Sequence, residues 1–420
     1  MGKPVLFALL FLLPATAQAA DSAWVQATAN GYEARLVTTE ATCPVLHTAG
    51  GESPMKVRAP ATGDFPLICA AAIPAGTTSA TVAGIVLPVP VADPQRILVL
   101  GDTGCRIKGA ALQACNDPAA WPFPQLAAAA AGLKPDLVIH VGDYLYRESA
   151  CPPGNAGCAG SPWGDNWITW AADFYTPAAP LLAAAPIVLV RGNHEDCSRA
   201  GPGWERLQGP GMAEPCTLHD PLYTVALGKL TLAVLDDAVS GETDLDRATA
   251  RIYAEELAGL TNLSLAKAPT PIWLIHHRPI WAAISGPLGI PVGGNFTLIE
   301  AASINAARGA ALIPKSVELM LSGHIHSFES INYTQGVPPQ IVAGNGGDNL
   351  DVTPKNLRGA QFLGHSGVTV ADGLSVGGFG FLLMTRGEAG WTIDLYDSAG
   401  TKTRTCRFSE GRPGRLDCPA

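Results

Sequence analysis

DLVIHVGD, residues 136–143, is a short apolar run that stops on a glycine and an aspartate. A run of this length, bounded by turn residues, reads as a strand buried on both faces. The same grammar recurs in RILVLGD (96–102), PIVLVRGNH (186–194), PIWLIHH (271–277) and LMLSGHIH (319–326). A helical stretch, PQLAAAAAGL (124–133), separates the first two strands, and DLDRATARIYAEELAGL (244–260) reads as a longer helix with Asp244 as its N-cap. PLYTVALGKLTLAVLDD (221–237) predicts a hairpin turning at Gly228-Lys229, and PQIVAGNGG, GFGFLLMTR and WTIDLYDS predict later strands. Strands alternating with helices predict an α/β core with helices on both faces.

The flanking segments differ in texture. Residues 20–93 hold short Val/Thr/Ala/Ile runs broken by Gly and Pro, as in VAGIVLPVPV, and predict a small β-rich N-terminal domain; residues 94–420 form the main domain. Residues 147–185 and 197–220 are rich in Gly, Pro, Trp and Cys and predict long disulfide-pinned loops. Residues 1–19 carry Lys3, the apolar run Val5 to Leu13 and Ala17-Gln18-Ala19, the pattern of a signal peptide. That pattern predicts export, to a periplasm or the extracellular space. Its apolar run is too short for a bilayer, and no other stretch is long enough.

The 420 residues are 47% hydrophobic, enough for a sizeable core. The net charge is −9 and no basic run occurs, which argues against nucleic acid or an anionic membrane as partner. Ten cysteines without a C-x-x-C point to disulfides rather than zinc. Pairing nearest neighbours in order would join Cys43 to Cys69, Cys105 to Cys115, Cys151 to Cys158, Cys197 to Cys216 and Cys406 to Cys418. Oligomeric state is not legible.

Strands ending alike bring their polar ends to one crevice. Those ends offer Asp102, Asp143, Asn193, His194, His276, His277, His324 and His326. Carboxylate, amide oxygen and imidazole together make a metal-ligand set too large for one tetrahedral ion. A pair of ions about 3.5–4 Å apart, bridged by one carboxylate, would use them all.

The order G-D, G-D, G-N-H, strand-end His, G-H-x-H resembles the calcineurin-like metallophosphoesterase family, from about Arg96 to Arg386. Many members carry a His two residues after the first Asp; here that place is Gly104. The second motif continues to Tyr146 as G-D-x-x-Y, which is similar to the purple acid phosphatase branch. The resemblance implies a β-sandwich flanked by helices, preceded by an N-terminal β-domain. It implies Asp102, Asp143, Tyr146 and His326 on one metal, and Asp143, Asn193, His277 and His324 on the other, with Asp143 bridging. His277 fits the family's His-x-Pro pattern, with His276 as the fallback. The metals implied are iron plus a second divalent ion, whether zinc, manganese or iron. The reaction implied is hydrolysis of a small phosphate ester, mono- or diester, by a metal-activated hydroxide. His194 would stabilise phosphoryl charge or protonate the leaving group, and Arg191 and Arg278 would clamp the phosphate.

Other readings stand beside this one. Two like divalent ions would leave Tyr146 uninvolved, and a secreted non-catalytic binding protein could use the same scaffold. His140, inside a strand, reads as a packed core histidine, and His219-Asp220 carries no assigned role. Gly344 to Asp348 reads as a turn beside the site. Trp163, Trp167 and Trp170 either stack on substrate or pack within their own loop.

Overall fold

Alternation along each short strand sorts its side chains between two cores. Ile97, Val99, Ile139 and Val188 point into one, and Leu98, Leu100, Val138 and Leu189 into the other. The computed structural model describes residues 21–211, 215–266, 270–286, 291–360, 362, 367–411 and 413–419. The expected signal segment lies outside the described residues.

Among those residues the larger sheet has eleven strands. At its centre run three parallel strands, Arg96–Leu100, Leu137–His140 and Ile187–Leu189, with Leu98 opposite Val138 and Ile139 opposite Val188. The C-terminal strands Gly380–Gly387, Gly390–Asp397, Lys402–Ser409 and Arg415–Asp417 extend it on one side. A second sheet of seven strands contains the parallel set Leu230–Val234, Ile272–Ile275, Val317–Ser322 and Gln340–Ala343. Trp273, Ile275, Leu319 and Leu321 from this sheet meet Val99, Ile139 and Val190 from the first, so the two sheets form a sandwich. Helices Phe123–Gly132 and Thr176–Ala184 cover the outer face of the first sheet; Arg247–Ala266 and Phe296–Ala307 cover that of the second.

The N-terminal segment is β-rich as expected, and it joins the main sheet directly. Ser22–Thr28 runs parallel to Ile187–Leu189, with Gln26 opposite Ile187, and Gly31–Thr38, Leu67–Ile73 and Lys56–Ala59 follow. A four-stranded sheet beside it closes a small core of Leu36, Leu46, Cys69 and Val82. All five nearest-neighbour disulfides are formed. No helix among the described residues is long and apolar enough to cross a membrane.

Three local expectations are corrected. The long helix is capped by Asp246, not Asp244: the Asp246 carboxylate accepts from Ala248 N at 2.9 Å and Thr249 N at 3.3 Å. Part of the segment 147–185 is helical rather than loop. Asn166 caps Trp167–Trp170, a π turn at Ala171–Tyr175 follows, and Thr176–Ala184 continues the run. Pro177 and Pro180 both lie within this run, and burial of Trp170, Phe174, Ala178 and Leu181 outweighs their break signals. In the segment 197–220, Gly201–Leu207 is likewise a helix, packed through Trp204 and Leu207.

Strand Phe328–Tyr333, with its Glu, Ser and Asn, has no apolar signature, yet it is buried between two partners. Its Glu329 is fully buried and accepts from Ala283 N at 3.2 Å. Burial, with the Asp351 charge adding to it, pushes its carboxyl up to about 8. The folded chain therefore holds a proton that the unfolded chain releases above the ordinary value of 4.5. Stability should fall as pH rises from there towards 8, by up to about 1.4 kcal/mol per pH unit. Glu329→Gln is expected to flatten that slope in thermal unfolding at pH 5 and pH 8; parallel losses in both proteins would refute the assignment.

Candidate metal centre

The carboxyl ends of the parallel strands of both sheets open at the same edge of the sandwich. Asp102, Asp143 and Asn193 follow strands of the first sheet; His277 and His324 follow strands of the second. Asp102, Asp143 and His324 all adopt the left-handed region, at φ +56°, +61° and +69°. Each such residue carries strain of about 1–3 kcal/mol, which surrounding contacts must hold in place. They do so here: His324 N donates to both Asp102 oxygens at 3.0–3.1 Å, and His194 N donates to Asp143 Oδ1 at 2.9 Å. Gly323 makes this approach possible, because a Cβ there would fall 2.5 Å from Asp102 Oδ2.

Two clusters share Asp143. In the first, Tyr146 Oη lies 3.1 Å from Asp102 Oδ1, 2.9 Å from Asp143 Oδ2 and 3.1 Å from His326 Nε2. In the second, His277 Nε2 lies 3.3 Å from the same Asp143 oxygen and 3.0 Å from Asn193 Oδ1. Ligand atoms of Asp143, His277 and His324 fall within 4.8 Å of one another. His277, and not His276, thus reaches the carboxylates. His276 turns to the other side, where its Nδ1 meets Asp237 Oδ2 at 3.0 Å.

Tautomers are set from behind. His277 Nδ1 is 2.8 Å from Val141 O and His326 Nδ1 is 2.6 Å from Asn349 O. A carbonyl only accepts, so each Nδ1 carries hydrogen and each Nε2 faces the cluster. His194 is held the same way: its Nδ1 lies 2.9 Å from Glu148 Oε1 and 3.2 Å from Leu145 O, and its Nε2 lies 3.8 Å from Asp143 Oδ2. Its ring packs against that of Tyr146, tilted by 38° with centroids 3.8 Å apart.

The electrostatics suit cations. Burial pushes the Asp143 carboxyl up, but His277, His194 and His324 outweigh it and hold it well below the usual range. Burial opposes charge on His277 and His326 as well. Even so, Asp143 and Asp102 raise His277 to about 10, and Asp102 and Asp348 raise His326 to about 9. Burial first, then Asp102 and Asp143, lifts the Tyr146 phenol well above its ordinary value. Buried carboxylates here demand positive charge, which protons supply in the metal-free protein and metal ions would supply in their place. The donor set therefore fits hard-to-borderline metal ions.

Four further residues support the cluster. Asp237 Oδ1 accepts from His277 N and Arg278 N at 3.0 and 3.1 Å, fixing that turn. Glu148 holds His194. The Arg106 guanidinium stands 4.8 Å over the Tyr146 ring and pairs with the buried Asp348. Asp348 ends the turn from Gly344, whose backbone docks on the first motif through Gly346 N to Gly101 O and Asp348 N to Asp102 O. Asp237 and Glu148 follow strand-end motifs by position alone; Glu242, which touches His324, has no such marker.

Arg191 is not brought to the cluster. Its guanidinium is buried and donates to Glu195 O, Thr217 O and Asp236, so it ties loops together instead of facing a substrate. Arg278 stays at the rim, 2.9 Å from Ser240 O and 3.3 Å from Glu242. His140 is buried against Thr103, and Trp167 and Trp170 pack in the core while Trp163 is exposed. His219 bridges Asp236 O and Glu256.

The sequence model of the calcineurin-like phosphoesterase family matches residues 95–328. No curated protein sequence matches significantly. Among solved structures, a purple acid phosphatase, PPD1, isolated from yellow lupin (Lupinus luteus) seeds is similar at a TM-score of 0.56 and 13% identity; the alignment covers 92% of this chain and 74% of that one. The structure of PhoD is similar at 0.53 and 11%, covering 96% and 93%. At such identities the likeness is one of fold.

Proposed function

Because the chain belongs to the calcineurin-like phosphoesterase family, we propose that it hydrolyses small phosphate esters at a dinuclear centre of the purple acid phosphatase type. The observation that carries this reading is the shared carboxylate. One Asp143 oxygen serves both the Tyr146–Asp102–His326 cluster and the His277–Asn193–His324 cluster. Asp102, Asp143, Tyr146 and His326 would hold one ion, and Asp143, Asn193, His277 and His324 the other. Bound there, the ions supply Lewis acidity towards the phosphoryl oxygens and a hydroxide nucleophile near neutral pH.

The protein's own groups do the rest. His194 Nε2 is directed at the site, and the Nδ1 hydrogen faces Glu148 and Leu145 O. Nε2 donates to a phosphoryl or leaving-group oxygen when the ring takes up a second proton, which burial opposes by lowering the ring to about 4 and the Asp143 and Glu148 carboxylates favour. Glu148 and Leu145 O hold its ring in that orientation. Asp237 keeps the His277–Arg278 turn from shifting, and burial of Asp102, Asp143 and His277 excludes bulk water from their side of the cluster. The five disulfides agree with an exported protein working in an oxidising compartment.

Elemental analysis of the purified chain tests the centre. Two metal equivalents including iron support it with Tyr146 as ligand. Two without iron keep the hydrolase and remove Tyr146 from the ligand set. A metal-free chain that resists reloading and hydrolyses nothing refutes it in favour of a binding protein. Glu148→Gln keeps the shape but weakens the grip on His194, so kcat should fall about tenfold or more with metal content unchanged. An unchanged kcat would show that His194 needs no such support.

A further inference from the structure

Beside His324 lies a cavity of about 210 Å³. Pro279, Ala282, Ile284 and Ile325 supply its apolar wall, and Glu242 and Arg278 stand at its charged end. Arg278 is already engaged by Ser240 O and Glu242, and Glu242 also touches His324. Asn295, the amide in the wall, caps Leu298 N with its oxygen and donates its nitrogen to Ser240 Oγ at 2.9 Å. The Arg278 Nε is buried without a partner, so the polar capacity of the lining is concentrated at this charged end.

This inference rests on the hydrolase reading above. We propose that the cavity is the subsite for the non-phosphate part of the ester, and that this part is an uncharged apolar group of about the size of an aromatic ring. Three observations converge on that class. First, the cavity adjoins His324, so an ester with its phosphoryl group at the metal cluster has its organic arm within reach. Second, an apolar cavity of about 150 Å³ takes up benzene, and this one is larger. Third, the walls offer little to a polar arm. Along Pro279, Ala282, Ile284 and Ile325 a sugar or nucleoside would bury hydroxyls without partners, and a second phosphate would face the Glu242 carboxylate.

The test compares inhibition of the metal-loaded chain by inorganic phosphate, methylphosphonate and phenylphosphonate, none of which can be turned over at an ester bond. Phenylphosphonate is expected to bind at least about tenfold tighter than methylphosphonate. Ile284→Trp, which fills the cavity without touching the metal cluster, should bring that ratio close to unity and leave the phosphate constant unchanged. Equal binding of the two phosphonates to the wild-type chain overturns the proposal. So does a preference for phenylphosphonate that survives Ile284→Trp. Absence of binding by all three, inorganic phosphate included, would instead overturn the hydrolase reading beneath it.

Discussion

Asp143→Asn is expected to lower kcat/KM for p-nitrophenyl phosphate by at least about a thousandfold, or about 4 kcal/mol of transition-state stabilisation. The substitution keeps the shape of a side chain whose Oδ1 receives the His194 amide and whose Oδ2 lies 2.9 Å from Tyr146 Oη. What it removes is the charge that both clusters share. Asp143 raises His277 towards protonation and holds the Tyr146 phenol above its ordinary value, so loss of its carboxylate weakens the demand for cations on both sides. Metal content should drop with catalysis while far-ultraviolet circular dichroism is retained. Chelation should lower the Tm of the wild-type protein and leave the variant nearly unaffected, because a bound ion stabilises only the state that binds it. An Asp143→Asn protein that retains full metal and full activity would sink the site assignment.

Gly104→Ala should cost about 3 kcal/mol of stability. A Cβ at residue 104 would fall 2.5 Å from Tyr144 O, 2.7 Å from Tyr146 Cδ2 and 2.8 Å from Asp173 Oδ2. None of these can yield cheaply. Tyr144 and Tyr146 are buried, and Asp173 accepts from Cys105 N, Tyr146 N and Arg147 Nε at 2.7–2.9 Å. The methyl group would push the Tyr146 ring off Asp102, Asp143 and His326, so metal binding should weaken as well. The control is Gly132→Ala, at the end of helix Phe123–Gly132, where a Cβ meets nothing within 4 Å. Urea unfolding should separate the two variants; a Gly104→Ala protein as stable as wild type would show that the loop yields. The same geometry explains a departure in the sequence. Many relatives are expected to carry a histidine at the place of Gly104, and here the Tyr146 ring occupies the space that such a side chain would need.

The strand grammar was legible because it is local. A buried strand reads as an apolar run, and its end as a glycine turn, within a handful of residues. The order of five such ends was enough to name the family. The cysteine pairing was legible for a related reason, since each bridge joins neighbours in sequence. The helices at 167–184 were not, because Pro177 and Pro180 signal breaks locally and only packing against the first sheet overrides them. Strand Phe328–Tyr333 was hidden because its polar residues find partners only after folding.

The sequence alone therefore determined which chemistry-bearing residues end the strands, and hence the class of centre they can build. Tertiary structure alone decided their use. Tyr146 meets His326 across 180 residues and Asp102 meets His324 across 222. Contacts of that span set which way Arg191 points, which of two adjacent histidines faces Asp143, and that Glu242 stands at the mouth of an apolar cavity. A side chain's direction depends on what packs behind it, and in this fold that support comes from the opposite sheet or a distant loop.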